Sequence, residues 1–265
     1  MLEIKSLSKV FNPNTVNELV LYDNLNLQVK QGEFVTIIGS NGSGKSTLFN
    51  LICGTLDPDH GSIMLDSTNL LKIPEYQRLK RFARVYQDPQ KGTAPSLTIL
   101  ENLAIAANKN MPFNLTKAVD KAQIEFYRAL LKPLALGLED KLNVQISSLS
   151  GGQRQALALL MVTMGNPELL LLDEHTAALD PKTSEKIVEL TEKIVHQHQT
   201  TTLMITHNLK HAINLGNRLL MFHKGKIILD IEGATKKSLT VQSLIERFNQ
   251  LNMTDELSDE MAFSQ

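Results

Sequence analysis

Apolar and polar residues alternate near both ends of the first stretch of the chain. Leu2 and Ile4 are separated from one another and from Ser6 by Glu3 and Lys5, and Leu25, Leu27 and Val29 are set between Asn26, Gln28 and Lys30. A period of two belongs to a half-buried strand, so two antiparallel strands are expected, with the turn-rich Asn12-Pro13-Asn14-Thr15 between them. Phe34-Val35-Thr36-Ile37-Ile38 is different: it is nearly all apolar, as a strand buried on both faces should be. It runs into a glycine-rich loop and a predicted helix over 46–53. Further strands are predicted over 82–86, 169–172 and 202–205, and a late hairpin over 219–222 and 226–229 about Lys224-Gly225. Between about 89 and 166 the pattern becomes helical. Thr116 is placed to cap a helix reaching about 131, ended by Pro133 and Gly137, and Ser150 to cap another over 151–164, ended by Gly165 and Pro167. Val241, Leu244, Ile245 and Phe248 make one stripe of an amphipathic helix over 240–251. The polar stretch 249–265 is expected to be loosely held.

Composition narrows the class. The 265 residues are 42% hydrophobic and 21% charged, which is enough apolar material for a substantial core and excludes disorder as the main state. The 27 basic and 28 acidic side chains give a formal charge of −1, so no field over the whole chain attracts nucleic acid. The local basic run of Lys72, Arg78, Lys80, Arg81, Arg84 and Lys91 reads as a solvated face. The single cysteine, Cys53, reads as a small core residue; it forbids an internal disulfide and fits a reducing compartment. No run approaches the roughly 20 mostly apolar residues of a membrane-spanning helix, and Met1-Leu2-Glu3-Ile4-Lys5 does not open a signal peptide. His60, His196, His198, His211 and His223 stand in polar surroundings and are expected at the surface, with no pair that compels a metal site.

Chemistry concentrates in three places. Gly39-Ser40-Asn41-Gly42-Ser43-Gly44-Lys45-Ser46 matches the phosphate loop G-x-x-x-x-G-K-S between a buried strand and a helix. Its glycines let backbone N–H groups curl around phosphates, and the helix N-terminus adds partial positive charge. Lys45 suits the β and γ phosphates and Ser46 suits Mg²⁺. The spacing is not that of a dinucleotide turn. Leu169-Leu170-Leu171-Leu172-Asp173-Glu174 brings two carboxylates to the end of a buried strand. Asp173 suits Mg²⁺ and Glu174 suits polarising a water, help that is typically worth ~10²–10⁴ in rate. Leu149-Ser150-Gly151-Gly152-Gln153 puts a hydroxyl and two glycines at a helix start, a second anion site in one chain.

With these three motifs together the chain resembles the ATP-binding cassette (ABC) family, the ATPase subunits of ABC transporters, over residues 2 to about 232. The resemblance implies an α/β P-loop NTPase of the ABC-ATPase fold, with an antiparallel β subdomain and an inserted helical subdomain at about 89–166. Residues 1–232 would form the ATPase domain and 233–265 a short C-terminal helix and loose tail. It implies ATP and Mg²⁺ as ligands, with Gly39 to Gly44, Lys45, Ser46 and Thr47 on the nucleotide (Ser40, Asn41, Gly42 and Ser43 among them). Ser150, Gly151, Gly152 and Gln153 match the signature that covers the nucleotide of a second copy. Gln87 matches the Q-loop glutamine that senses metal and γ-phosphate, so the metal set is Ser46, Gln87 and Asp173. Asp180 matches the D-loop, His207 the switch histidine beside Glu174 and Gln87 in catalysis, and Phe11 the aromatic that stacks on adenine. Two positions depart from the usual pattern: Phe11 stands where tyrosine is frequent, and His175 where proline usually follows the Asp-Glu pair.

Cassettes of this kind work as head-to-tail pairs, so a homodimer and an integral membrane permease are implied partners. The surface after Gln87, roughly 88–107, would receive the permease, with 92–98 an exposed, shaped loop. A chain acting at the inner face of the cell membrane from the cytoplasm is expected, and no nucleic acid. The competing class is a non-transport ABC ATPase acting on ribosome or DNA; a single cassette without a long coiled coil speaks against it. The intact Glu174 and His207 speak against a module that binds nucleotide without hydrolysing it. Residues 143–148 lean toward an importer. Segments 73–76, 87–96 and 173–183 resemble a bacterial subgroup assigned to uptake of amino acids, tryptophan or tyrosine, with a substrate-binding lipoprotein as a further partner.

Overall fold

The computed structural model describes residues 1–109, 111 and 119–250, the last two without their side chains. The expected cap at Thr116 and the expected tail past residue 250 lie outside the described residues. In chain order the strands and helices are β1 (Leu2–Phe11), β2 (Leu19–Val29), β3 (Phe34–Gly39), α1 (Lys45–Cys53), β4 (His60–Leu65), β5 (Thr68–Asn69), α2 (Glu75–Arg81), β6 (Phe82–Val85), α3 (Ile99–Ala107), α4 (Ile124–Leu131), α5 (Gly151–Thr163), β7 (Leu169–Asp173), α6 (Pro181–His198), β8 (Thr201–Ile205), α7 (Leu209–Asn214), β9 (Arg218–His223), β10 (Lys226–Glu232), α8 (Gly233–Lys237) and α9 (Val241–Gln250). The chain divides into two compact units, Phe82–His198 forming one and the residues on either side of it the other.

In the flanking unit, β1 pairs antiparallel with β2 and β4, and β4 with β5. β3 lies between two parallel neighbours, β8 and β9, and β10 closes on β9 as the late hairpin. All six residues of β3 are buried, which explains its unbroken apolar sequence, whereas β2 keeps the alternation of a strand with one wet face. α9 lays Leu244 and Phe248 against Ile38, Leu209, Leu219 and Met221, so the C-terminal stripe is core directly behind the glycine loop. Cys53 is buried as expected. His211 and His223 are half-buried rather than exposed, and the His223 ring meets Phe248 edge-on at 6.4 Å. Arg78 corrects the expectation of a solvated basic face. It is 3% exposed, with Nε donating to the Ile73 carbonyl at 3.0 Å and Nη1 to the Leu51 carbonyl at 3.1 Å, near the C-terminal end of α1.

In the inserted unit, β6 and β7 pair in parallel, Phe82 opposite Leu169 through Val85 opposite Leu172. A separate core gathers Leu100, Leu103, Tyr127, Leu131, Leu157 and Leu160 from α3, α4 and α5. α4 begins at Ile124, after a 3₁₀ turn capped by Asp120, and it ends at Leu131 just before Pro133. The start of α3 carries a reciprocal cap, Thr98 with Glu101. Buried Asn102 shapes the loop before it. Its amide oxygen accepts from Ala94 N–H at 2.8 Å, and Nδ2 donates to the carbonyls of Ala94 at 3.1 Å and Thr98 at 2.9 Å. The 92–98 loop is therefore half-buried apart from Ser96, less open than expected.

Lys236 of α8 is 1% exposed and donates to the carbonyls of Leu215 and Gly216, the former closely and the latter at 3.2 Å. Burial pushes its ammonium down to about 8 from an ordinary 10.5. Between these values the unfolded chain binds more protons than the folded one, so this residue's contribution to stability rises with pH there. In Lys236→Met the two carbonyls lose a donor at every pH, which is a constant offset. Urea titrations of both proteins should show the parent gaining on the variant as pH climbs from about 8 toward 10.5; a difference independent of pH would refute the assignment.

Candidate functional site

The glycine loop turns directly out of β3 into α1. Gly44, at the N-cap, has φ +106°, a left-handed backbone that favours glycine, and a Cβ there would stand 2.7 Å from the Tyr22 hydroxyl. Tyr22 is fully buried in β2 and donates from its phenol to the Gly44 carbonyl at 2.5 Å. The neighbouring Ser43 carbonyl accepts from Gly225 N–H at 3.1 Å, in the turn between β9 and β10. Lys45 is 5% exposed and folds its ammonium back onto the carbonyls of Gly39 at 2.8 Å and Ser40 at 2.9 Å. Asn41, Gly42 and Ser46 face solvent, and Thr47 is half-buried.

These residues fit a polyphosphate. A buried lysine, an exposed hydroxyl at Ser46 and the N-terminus of a nine-residue helix converge on one turn. The Ser43 hydroxyl is buried without a hydrogen-bond partner among the described residues, and leftover polar groups of this kind are rare in a finished interior. Among the described residues no group of three or more His, Cys, Asp or Glu gathers to hold a metal. Mg²⁺ in nucleotide sites uses one or two protein ligands and the phosphates themselves, and the exposed Ser46 hydroxyl beside the loop has the chemistry of one such ligand.

Two more of the expected residues lie in the same unit. β8 runs parallel to β3, and Thr206 N–H donates to the Ile37 carbonyl at 3.1 Å, so His207 emerges at the end of the sheet where the loop begins. Its chain is pinned on the far side by Asn208, which caps α7 by accepting from His211 N–H at 3.1 Å. Phe11 ends β1, half-buried, opposite Leu19, which is 54% exposed, with the Lys9 ammonium 5.7 Å from its ring centre. Asp59 holds that strand end by accepting from Val10 N–H at 2.6 Å. That N–H, together with the Lys9 ammonium, keeps the Asp59 carboxyl below its ordinary value.

The inserted unit gathers the rest. β6 and β7 are parallel neighbours, so Gln87 and the Asp173-Glu174 pair follow adjacent strand ends, and Gln87 is exposed. Arg84 of β6 donates to the Asp173 carboxylate at 2.5 Å, in a pair whose side chains are 7% and 11% exposed. It also lies 4.7 Å over the Tyr86 ring. The basic run thus contributes a second buried arginine where solvent was expected. Removing one partner of such a pair typically costs about 3–5 kcal/mol, because the other charge is left buried. Glu174 has φ +48°, a left-handed backbone for a non-glycine residue, of the kind that costs of order 1–3 kcal/mol and collects at functional sites.

Ser150 caps α5 as predicted: its hydroxyl accepts from Gln153 N–H at 3.3 Å, and the Gln153 side chain accepts from Ser150 N–H at 3.2 Å. A Cβ on Gly152 would fall 2.1 Å from the Thr183 methyl of α6, so this helix start sits against that of α6. There Asp180 accepts from Thr183 N–H at 3.1 Å, and hydrogen bonds from Thr183 hold its carboxyl below the ordinary range. The signature and the D-loop are thereby brought side by side. Tyr22, Asp59 and Arg84 were not singled out from the sequence for these roles. Each reaches its partner across 22 to 89 residues of chain, and only Tyr22, a phenol among apolar strand positions, leaves a trace in the pattern.

The chain is similar to proteins already known. The ABC transporter family profile matches residues 22–177. The tyrosine transport ATP-binding protein of Clostridioides difficile is 49% identical over 249 residues, 94% of this chain and 98% of that protein. A methionine import ATP-binding protein of Histophilus somni is 32% identical, over 99% of this chain and 75% of its own length. Among solved structures, a dimeric ATP-binding cassette in a post-hydrolysis state with ADP and Pi superposes with a TM-score of 0.72 at 30% identity, covering 88% of this chain and 98% of that one.

Tyr22→Phe leaves the Gly44 carbonyl without its phenol donor and should weaken ATP binding about fivefold, from a loss of ~1 kcal/mol. Fluorescence titration with a labelled ATP analogue measures it. A variant that binds as tightly as the parent would show that the loop keeps its turn without the hydroxyl.

Proposed function

The chain belongs to the ABC transporter family and is an ATPase whose hydrolysis is coupled to transport; from that premise we propose that it powers bacterial uptake of amino acids, aromatic ones in particular. The observation that carries the substrate class is the 49% identity, over 94% of the chain, to a tyrosine transport ATP-binding protein. The relatives reported above are named for transport, and no observation favours action on ribosome or DNA. No helix among the described residues is long and apolar enough to cross a membrane, so on this reading a separate permease crosses it. The cassette works beneath the permease at the cytoplasmic face, and a substrate-binding lipoprotein delivers the amino acid outside.

In this reading Gly39 to Thr47 hold ATP, with Lys45 on the β and γ phosphates and Phe11 stacked on adenine. Losing the phenolic hydroxyl usual at that position leaves stacking intact. Ser46, Gln87 and Asp173 would hold Mg²⁺, which would supply charge neutralisation to the phosphates. Glu174 accepts a proton from water as the water oxygen bonds the γ-phosphorus. The bond from that phosphorus to the bridging oxygen breaks, leaving ADP and phosphate. His207 donates to a γ-phosphate oxygen. The second anion site implies a second copy: Ser150, Gly151, Gly152 and Gln153 of one subunit cover the γ-phosphate held by the other, and Asp180 lies at the same contact. ATP then joins the two copies, and hydrolysis removes the group that joins them.

Glu174→Gln keeps the shape of the side chain but removes the base, so ATP should trap a dimer visible by light scattering with no permease present. A variant that stays monomeric in saturating ATP would overturn the paired mechanism. Co-expression with the neighbouring open reading frames, followed by reconstitution in liposomes of the membrane and lipid-anchored proteins that co-purify, tests the cargo. Tyrosine or tryptophan with the binding protein should stimulate ATP hydrolysis, and a rate indifferent to both would remove the aromatic assignment.

A further inference from the structure

The residue after Glu174 is fixed in an unusual way. His175 is 1% exposed, and its Nε2 lies 3.0 Å from the hydroxyl of Thr191, which is fully buried in α6. The direction of that bond follows from the next one. Thr191 Oγ1 lies 2.7 Å from the Ile187 carbonyl, to which only its own proton can be given. The threonine is therefore the acceptor toward the histidine, and His175 Nε2 carries the proton. Ile187, Thr191 and Val195 are the buried positions of α6, spaced four apart, so a single hydroxyl interrupts an otherwise apolar stripe where the imidazole arrives. The left-handed Glu174 backbone is thus followed at once by a side chain tied to the middle of a helix of 18 residues.

We infer that His175 and Thr191 are positioning residues for hydrolysis: their hydrogen bond holds the turn that aims the Glu174 carboxylate. A strained conformation persists only where its surroundings over-determine it. The usual proline at this position restricts the chain through its ring, and here a buried side-chain bond supplies the restraint. α6 also carries the D-loop at its start, through the Asp180 cap on Thr183, so the base and the D-loop are referred to one rigid element. The inference rests on Glu174 being the base of ATP hydrolysis.

A displaced base slows the chemical step and leaves nucleotide binding alone. Thr191→Val keeps shape and burial but offers Nε2–H no acceptor, and His175→Phe keeps a ring without the donor. Each should lower kcat by ~10- to 100-fold, the scale of a small misplacement at a reacting centre, with KM for ATP within about twofold. Thr191→Ser, which retains the hydroxyl, should keep most of the parent kcat. The double variant should be little worse than either single one, since both break the same bond. Rates are taken per molecule competent to bind a fluorescent ATP analogue, so loss of folded protein does not count as loss of aim. Parental kcat in Thr191→Val, or a rise in KM without a fall in kcat, overturns the inference. Glu174→Gln separates the two levels. If it hydrolyses ATP at the parent's rate, the reading of Glu174 as base has failed; if it is inactive while Thr191→Val is unimpaired, only the role of the pair has failed.

Discussion

The glycine loop between β3 and α1 closes a turn of its own, from Ser43 N–H to the Ser40 carbonyl at 3.2 Å, and the arrangement around β3 follows from how the loop's carbonyls are held. The surrounding chain grips the loop through those carbonyls. Those of Gly39 and Ser40 are taken by the Lys45 ammonium, that of Ser43 by Gly225 N–H and that of Gly44 by the Tyr22 phenol. The donors come from β2, from the β9–β10 turn and from α1. The antiparallel sheet and the late hairpin are therefore supports of the site as much as parts of the core. The phenol buried in β2 finds its acceptor in this grip. Burial pushes that hydroxyl well above its ordinary value, so it remains a donor at every physiological pH.

The inserted unit meets a related problem with other means. Asp173 and Glu174 must emerge from a strand whose five residues are all buried, and the two diverge at once. Asp173 is held laterally by Arg84 from the neighbouring strand, while Glu174 turns through a left-handed residue. Beyond it lies a chain of short restraints: a turn from Ala177 N–H to the Glu174 carbonyl at 3.0 Å, then the Asp180 cap on α6. Gly152 is a glycine because the start of α5 comes so close to Thr183 that a methyl would not fit. Signature and D-loop are in this sense one packed feature with two sequence motifs.

What could be read from the sequence was whatever its neighbours in the chain determine. The apolar run of β3, the glycine loop, the cap at Ser150 and the stripe of α9 are local signals, and each lies where the periodicity placed it, to within a residue or two. The longest helix was not read, and α6 shows why. Its buried face is Ile187, Thr191 and Val195, and a threonine in the middle of a three-residue stripe hides the period. That residue makes sense only beside His175, which a strand end and a turn bring to it. The buried arginines were misread for the same reason. Arg78 answers backbone carbonyls and Arg84 a carboxylate, and no composition count separates such a guanidinium from one in solvent. The family motifs, by contrast, name the candidate residues directly, because a glycine loop of fixed spacing is a stricter pattern than the apolar positions of a core.

The proposed use of ATP as a joint sets a scale for these contacts. To carry a two-state equilibrium from about 1:99 to 99:1, ligands must favour the joined state by ~5.5 kcal/mol in total. With two nucleotides between two copies, each needs to contribute about half, near 2.7 kcal/mol. Hydrogen bonds to a charged group are worth ~1.5–3 kcal/mol each. One or two such bonds from the capped start of α5 therefore suffice. The Ser150 hydroxyl already accepts from Gln153 N–H, which leaves its own proton for a phosphate oxygen. A contact of that size also explains why hydrolysis is enough to undo it. Losing the γ-phosphate removes the acceptor of those few bonds and returns the equilibrium toward separation. A broad apolar interface would hold the copies together whether or not the nucleotide had been spent. A switch of this kind needs a joint just strong enough to close, and a capped, glycine-rich helix start supplies one.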